Sequence, residues 1–156
     1  MRKGVVKRQI TLPDPKFGEV QVTRFVNNMM MSGKKSLSLR LFYQAVEIIE
    51  SKVEDVTGLE VFQKGLANVT PAVEVRSRRV GGSTFQIPQP IRDSRKESMA
   101  MKWMISFARK RNEKSFSQKL AGEILAAYKE EGAAFKKKED VHRMADANKA
   151  FSHFRF

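Results

Sequence analysis

Residues 73–88 read VEVRSRRVGGSTFQIP, a stretch that alternates in the manner of a β-ribbon, with Gly81-Gly82 supplying the positive-φ pair that a two-residue hairpin turn requires. Val73 and Val75 open one face of the first strand, and that face continues as Ser77 and Arg79 towards the turn. The expected ribbon packs at its base and leaves its tip unpacked. It carries Arg76, Arg78 and Arg79 against one acid, Glu74.

On either side of this ribbon the apolar period is helical. Val22, Phe25, Val26 and Met29 share one face of a first helix, which Gly33 stops. Leu37, Leu41, Ala45, Ile48 and Ile49 give the stripe of a second. Thr57 with Glu60 is a capping-box pattern, and Leu59, Phe62, Leu66 and Val69 follow until Pro71 ends a third helix. Beyond Pro88 and Pro90, Ser94 with Glu97 reads as another capping box, opening a helix with Ala100, Trp103, Met104, Phe107 and Ala108 on one side. Ser115 with Gln118 opens a fifth helix, carrying Leu120, Ile124, Ala127 and Tyr128, which runs to Gly132. A sixth, over about 137–149, places Val141, Met144, Ala145 and Asn148 together. The expected fold is mainly all-α: one six-helix domain over 1–156 with a protruding β-hairpin inserted between helices three and four. Residues 1–12 form a basic arm, 73–88 the hairpin and 150–156 an aromatic tail.

The charge is unusual for such a domain. Thirty Lys and Arg stand against seventeen Asp and Glu, a formal net charge of +13. Arg2, Lys3, Lys7 and Arg8 are an acid-free arm. From Arg76 to Arg111 there are ten basic residues (Arg76, Arg78, Arg79, Arg92, Arg95, Lys96, Lys102, Arg109, Lys110, Arg111) and two acids, Asp93 and Glu97. The acids gather instead at Glu47, Glu50, Glu54, Asp55 and Glu60. Solubility alone favours mixed signs, so segregated arginine points to phosphate, which a planar guanidinium binds bidentately.

Other chemistries find little support. The absence of cysteine removes zinc fingers, iron–sulfur sites, disulfides and thiol nucleophiles. The N-terminal stretch has no apolar run of signal-peptide length, and no window approaches a membrane span. A soluble intracellular protein is expected, with no membrane partner, cofactor, metal or small-molecule substrate. His142 beside Asp140 and His153 between aromatic residues make a poor case for catalysis. Gly81-Gly82-Ser83-Thr84 lacks the Gly-Lys-Ser/Thr ending of a nucleotide loop, whereas Gly33-Lys34-Lys35-Ser36 suits simple anion binding at a helix start. No enzyme is expected. A DNA-binding helical protein and an RNA-processing enzyme are the competing readings. The first lacks an evident recognition helix and the second lacks a catalytic constellation.

The segments LPDPKFG, FVNNMMMSGKKS, PAVEVRSRRVGGSTFQIP, AMKWMISFARKR and KKKEDVHRMADANKAFSHFRF resemble the bacterial-type small-subunit ribosomal protein S-seven family across nearly the whole chain. That resemblance implies a structural constituent of the small ribosomal subunit, cytoplasmic on the ribosome. Such a protein is a primary binder of the 3′ major domain of 16S rRNA that nucleates assembly of the subunit head. It sits at the subunit interface near the decoding centre, the exit-site tRNA and the mRNA path, beside small-subunit ribosomal proteins nine and eleven. Carried over by position, rRNA-binding falls to Lys3, Lys7, Arg8, Lys34, Lys35, Arg76, Arg78, Arg79, Arg92, Arg95, Lys102, Arg109, Lys110, Arg111, Lys114, Lys136 and Lys137, with Lys138 alongside. Arg79, Gly81, Gly82, Ser83, His142 and Arg143 fall near tRNA and mRNA, and Phe151, Phe154 and Phe156 are expected to pack against protein or RNA.

Overall fold

A computed structural model describes residues 10–154. Three helices come first, α1 (Val20–Met29), α2 (Lys35–Glu50) and α3 (Gly58–Val69). A hairpin of β1 (Val73–Val80) and β2 (Ser83–Pro90) follows, then α4 (Asp93–Lys110), α5 (Phe116–Tyr128) and α6 (Ala133–Ala147). A short 3₁₀ turn, Lys149–Phe154, ends the described chain. The expected all-α fold with one inserted hairpin is the observed one.

Each of the first three helices contributes one phenylalanine to a fully buried aromatic cluster. Phe25 lies 5.6 Å from Phe42 and 5.0 Å from Phe62, with Phe42 and Phe62 5.2 Å apart, in tilted and edge-to-face pairs. Such contacts add about 0.5–1.5 kcal/mol each beyond area burial. α5 is the central helix and packs against α2, α3, α4 and α6. Gly65 lets α3 approach it closely, since a Cβ there would lie 3.1 Å from the Ile124 carbonyl oxygen. Leu120, Ile124, Met101 and Met104 complete the core across α4 and α5.

Local signals place several helix ends. Thr57 and Ser115 each form the expected capping box, with Glu60 and Gln118. The expected box at Ser94 does not form. α4 starts two residues earlier, with Arg92 at the cap and no side-chain cap bond. Glu97 instead turns to α1, accepting from Gln21 Nε2 at 3.1 Å and Arg24 Nη1 at 2.9 Å. α6 begins at Ala133, four residues before the expected start, with Gly132 at the cap position and the Ala134 N–H donated to the Glu123 carboxylate at 2.9 Å.

The buried stripes differ in detail from the expected ones. On α2 the buried residues are Ser38, Phe42, Ala45, Val46 and Ile49, whereas Leu37 is exposed and Leu41 and Ile48 are half-buried. Val61 and Gly65 join the α3 stripe, and Met101 and Ile105 join that of α4, where Trp103 and Phe107 are half-buried. Met144 of α6 is exposed.

Asp14, within LPDPKFG, ties the N-terminal segment to α2. It is buried and accepts the backbone N–H groups of Lys16 and Phe17, each at 3.0 Å, and the Tyr43 hydroxyl at 2.8 Å. Burial and the Asp14 carboxylate push the Tyr43 hydroxyl up to about 12.

Candidate nucleic-acid interface

The hairpin pairs in register from Val73 with Pro90 to Val80 with Ser83. Gly81 and Gly82 have φ of 57° and 90°, as a type I′ turn demands. The packed face is not the expected one. Val73 and Val75 are half-buried, while the buried positions, Glu74 and Ile87, belong to the opposite face, which also carries Arg76, Arg78 and Phe85. Nor is the outer half wholly unpacked. The Phe85 ring meets Phe151 of the C-terminal turn at 5.1 Å, giving part of the aromatic tail a partner within the chain.

A buried carboxylate in a cationic ribbon needs compensation, and Glu74 has two partners. Its Oε1 accepts from Arg76 Nε at 2.8 Å, and its Oε2 accepts from Arg95 Nε at 3.1 Å. The carboxylate is 11% exposed, whereas the arginine side chains are 57% and 53% exposed. Both guanidiniums are therefore fixed from beneath and open above. With Arg92 they line a cleft of about 650 Å³ between hairpin and α4, which Gln89, Ser94 and Ser98 also border. β-alternation sends Arg79 to the other side of the ribbon from Arg76 and Arg78, so the three expected hairpin arginines are split between two faces.

Other expected contact residues are dispersed around this cleft. Lys102 is exposed along α4 and Lys110 lies over the Phe107 ring at 5.5 Å, with Lys114 exposed beyond. Lys34 and Lys35 are exposed at the start of α2, after Ser32 and Gly33 turn with positive φ. Lys34 shares a cleft of about 350 Å³ with Met31, Leu37, Phe116 and Arg109. Lys136 is exposed and Lys137 half-buried at the opposite end of the chain, on α6. Arg143, Gly81, Gly82 and Ser83 are exposed. Lys3, Lys7, Arg8 and Phe156 lie outside the described residues.

Four of the expected contacts serve the fold as well. Arg111 donates Nε to Glu113 at 2.7 Å and Nη1 to fully buried Glu123 at 3.0 Å. That hydrogen bond from Arg111 holds the Glu113 carboxyl below its usual value, against the opposing effect of burial. Arg109 Nη2 donates to the Met29 carbonyl at 3.1 Å, joining the ends of α4 and α1. Lys138 donates to the Asn68 carbonyl at 2.7 Å. His142 Nε2 accepts the Ala72 N–H at 3.1 Å, so the ring braces α6 against the entrance to the hairpin rather than pairing with Asp140.

Of the acids gathered around the second and third helices, Glu47 pairs with Lys16, Glu50 accepts the Gly58 N–H and Glu60 completes the α3 cap. In the sequence Glu74 stands out only as a lone negative charge. Its signal was position, since it faces the same way as Arg76 on the ribbon. Among the described residues no helix is long and apolar enough to cross a membrane, and no group of three or more His, Cys, Asp or Glu could hold a metal ion.

Over its full length the chain is 63% identical to the small ribosomal subunit protein uS7 of Christiangramia forsetii and 61% identical to that of Flavobacterium johnsoniae, with 100% of both chains covered in each case. It is 53% identical to the uS7 protein of Cellvibrio japonicus, with 99% of each chain covered. A helical domain with a cationic hairpin and relatives of this kind falls in the class of ribosomal proteins, structural parts of a ribonucleoprotein rather than enzymes as a class. The chain belongs to the family described as Ribosomal protein S7p/S5e, whose model matches residues 1–149.

Proposed function

We propose that the protein is a primary rRNA-binding component of the small ribosomal subunit that grips the 3′ major domain of 16S rRNA and nucleates assembly of the subunit head. The single observation that carries this reading is the arrangement at the hairpin base. One buried acid holds two half-exposed arginines beside a third, at the mouth of an open, polar cleft. Fixed guanidiniums suit backbone phosphates, and a two-stranded ribbon suits the irregular grooves and junctions of folded RNA.

In this reading one domain spans 1–156, and the arm with Lys3, Lys7 and Arg8 and the loop with Lys34 and Lys35 add phosphate contacts to those of the hairpin and α4. The turn at Gly81-Gly82-Ser83, with Arg79, and the α6 residues His142 and Arg143 lie towards the exit-site tRNA and the mRNA path, and ribosomal proteins nine and eleven are neighbours. These assignments rest on family resemblance and on the exposure of the turn and of Arg143. The protein works without catalysis of its own, in the cytoplasm on the ribosome.

The test is binding to a transcript of the 3′ major domain against an unrelated folded RNA of equal length, across a salt series. A cognate advantage that persists as salt rises supports shape-specific recognition. If both RNAs bind alike and fade together, only the generic electrostatic attraction is present and the proposal fails.

A further inference from the structure

Glu74 is the single acid of the hairpin, and simple electrostatics makes it a liability for binding an anion. Removing it would raise the formal net charge and should tighten attachment to any polyanion. The geometry says otherwise. Free arginine side chains sample many rotamers and lose that freedom on binding, which costs entropy for each side chain immobilised. Here both are already held, because each carboxylate oxygen takes one guanidinium, Oε1 that of Arg76 and Oε2 that of Arg95.

The bonds also leave donors free in a defined way. Arg76 engages Glu74 through Nε, and Arg95 through Nε and Nη2, the latter also 3.1 Å from Oε2. Each guanidinium has five N–H donors, so further donors on both remain for a ligand in the cleft. The two arginines come from β1 and α4, separate elements that the carboxylate joins. Arg92, which precedes α4, supplies a third cation on the same cleft.

We propose that Glu74 is a positioning residue that sets Arg76 and Arg95, with Arg92, as a fork for one backbone phosphate of the bound RNA. This rests on the rRNA-binding reading above and goes beyond it by giving a negative charge a positive role in binding a polyanion. The acid does not touch RNA; it orders the residues that do.

The measurement is RNA affinity of wild type, Glu74→Gln and Arg95→Lys for the 3′ major domain transcript, each across the same salt series, with folding checked by circular dichroism. Glu74→Gln keeps the side-chain size but removes the charge that holds both guanidiniums. Binding at least fivefold weaker, despite one more net positive charge, is expected. The slope of log affinity against log salt should also become shallower by roughly 0.7–0.9, the loss of one phosphate contact. Arg95→Lys keeps the cation and removes the fork, and should weaken binding with the fold intact. In a third variant carrying both Glu74→Gln and Arg95→Lys, the losses should fall well short of additive, because both changes disable one device.

Unchanged or tighter binding by Glu74→Gln overturns the inference, and so does full additivity in the double variant. If Glu74→Gln does not fold, Arg95→Lys decides alone: wild-type affinity and slope in that variant overturn the proposal. A wild-type protein that fails to prefer cognate RNA defeats the rRNA-binding reading itself. A wild type that prefers cognate RNA alongside a tighter-binding Glu74→Gln defeats only the role given to Glu74.

Discussion

Arg111 and Glu123 form an ion pair at 3.0 Å in which the carboxylate is 1% exposed and the guanidinium about one-third exposed. Glu123 also accepts the Ala134 N–H at 2.9 Å, so the same buried acid fastens the loop after α4 to the first turn of α6. A residue counted among the RNA-facing cations is thus part of the scaffold.

Arg111→Ala should accordingly destabilise the fold by about 3 kcal/mol, because it leaves a buried charge uncompensated. Denaturant midpoints read this, with the m-value unchanged. The variant should also respond less to acid. The Glu113 carboxyl is depressed when folded, so its contribution is present above its unfolded value of 4.5 and is lost as pH falls below that value. Wild type should therefore lose more stability than Arg111→Ala across that interval, and parallel losses would contradict the pairing.

Phe62→Ala and Trp103→Ala should separate by burial. Phe62 is fully buried and meets two other rings edge to face, so its removal should cost about 3–5 kcal/mol. Trp103 is half-buried at the margin of the core, and its loss should be nearer 2 kcal/mol, leaving a folded protein. Thermal unfolding of the two variants provides the comparison; an equal or larger loss at Trp103 would mean that the ring matters more than its exposure indicates.

Arg78→Ala and Arg79→Ala should differ in RNA binding. Arg78 shares the ribbon face of Arg76 and Glu74, while Arg79 points to the other side. The phosphate-facing side is expected to lose about 1 kcal/mol of binding free energy on truncation, with a shallower salt slope, and Arg79→Ala less than half of that. Filter-binding or fluorescence titration at two salt concentrations is sufficient. The reverse order would place the RNA across the opposite face.

Tyr43 should titrate well above the ordinary tyrosine value. Ultraviolet titration of the folded protein should show ionisation at about 12 for Tyr43, moving down in Asp14→Asn, where the charged acceptor is gone. The folded value lies above the ordinary 10.0, so this contribution to stability is complete below pH 10 and is lost as pH rises towards 12. A transition unaltered by Asp14→Asn would remove Asp14 as a cause.

The hairpin, the order of helices and two capping boxes were legible because their signals are local. A Gly-Gly pair between alternating segments specifies a turn, and Thr57–Glu60 or Ser115–Gln118 closes within one helical turn. Ser94–Glu97 carries the same local pattern and fails, since Glu97 has partners 73 and 76 residues away on α1. On α2, apolar residues populate two adjacent stripes, and only the neighbouring helices select Phe42 and Val46 over Leu37 and Leu41.

The site divides in the same way. Composition and clustering sufficed to mark a polyanion-binding protein with arginine at its hairpin, because net charge and residue type are independent of folding. Which cations face outward is a tertiary matter. Arg111, Arg109, Lys138 and His142 find partners on distant elements, and Glu74 joins two arginines 19 residues apart, Arg76 and Arg95. A charge in sequence is only a charge; packing decides whether it meets a buried acid, a carbonyl or open solvent, and therefore whether it holds the fold together or remains available to RNA.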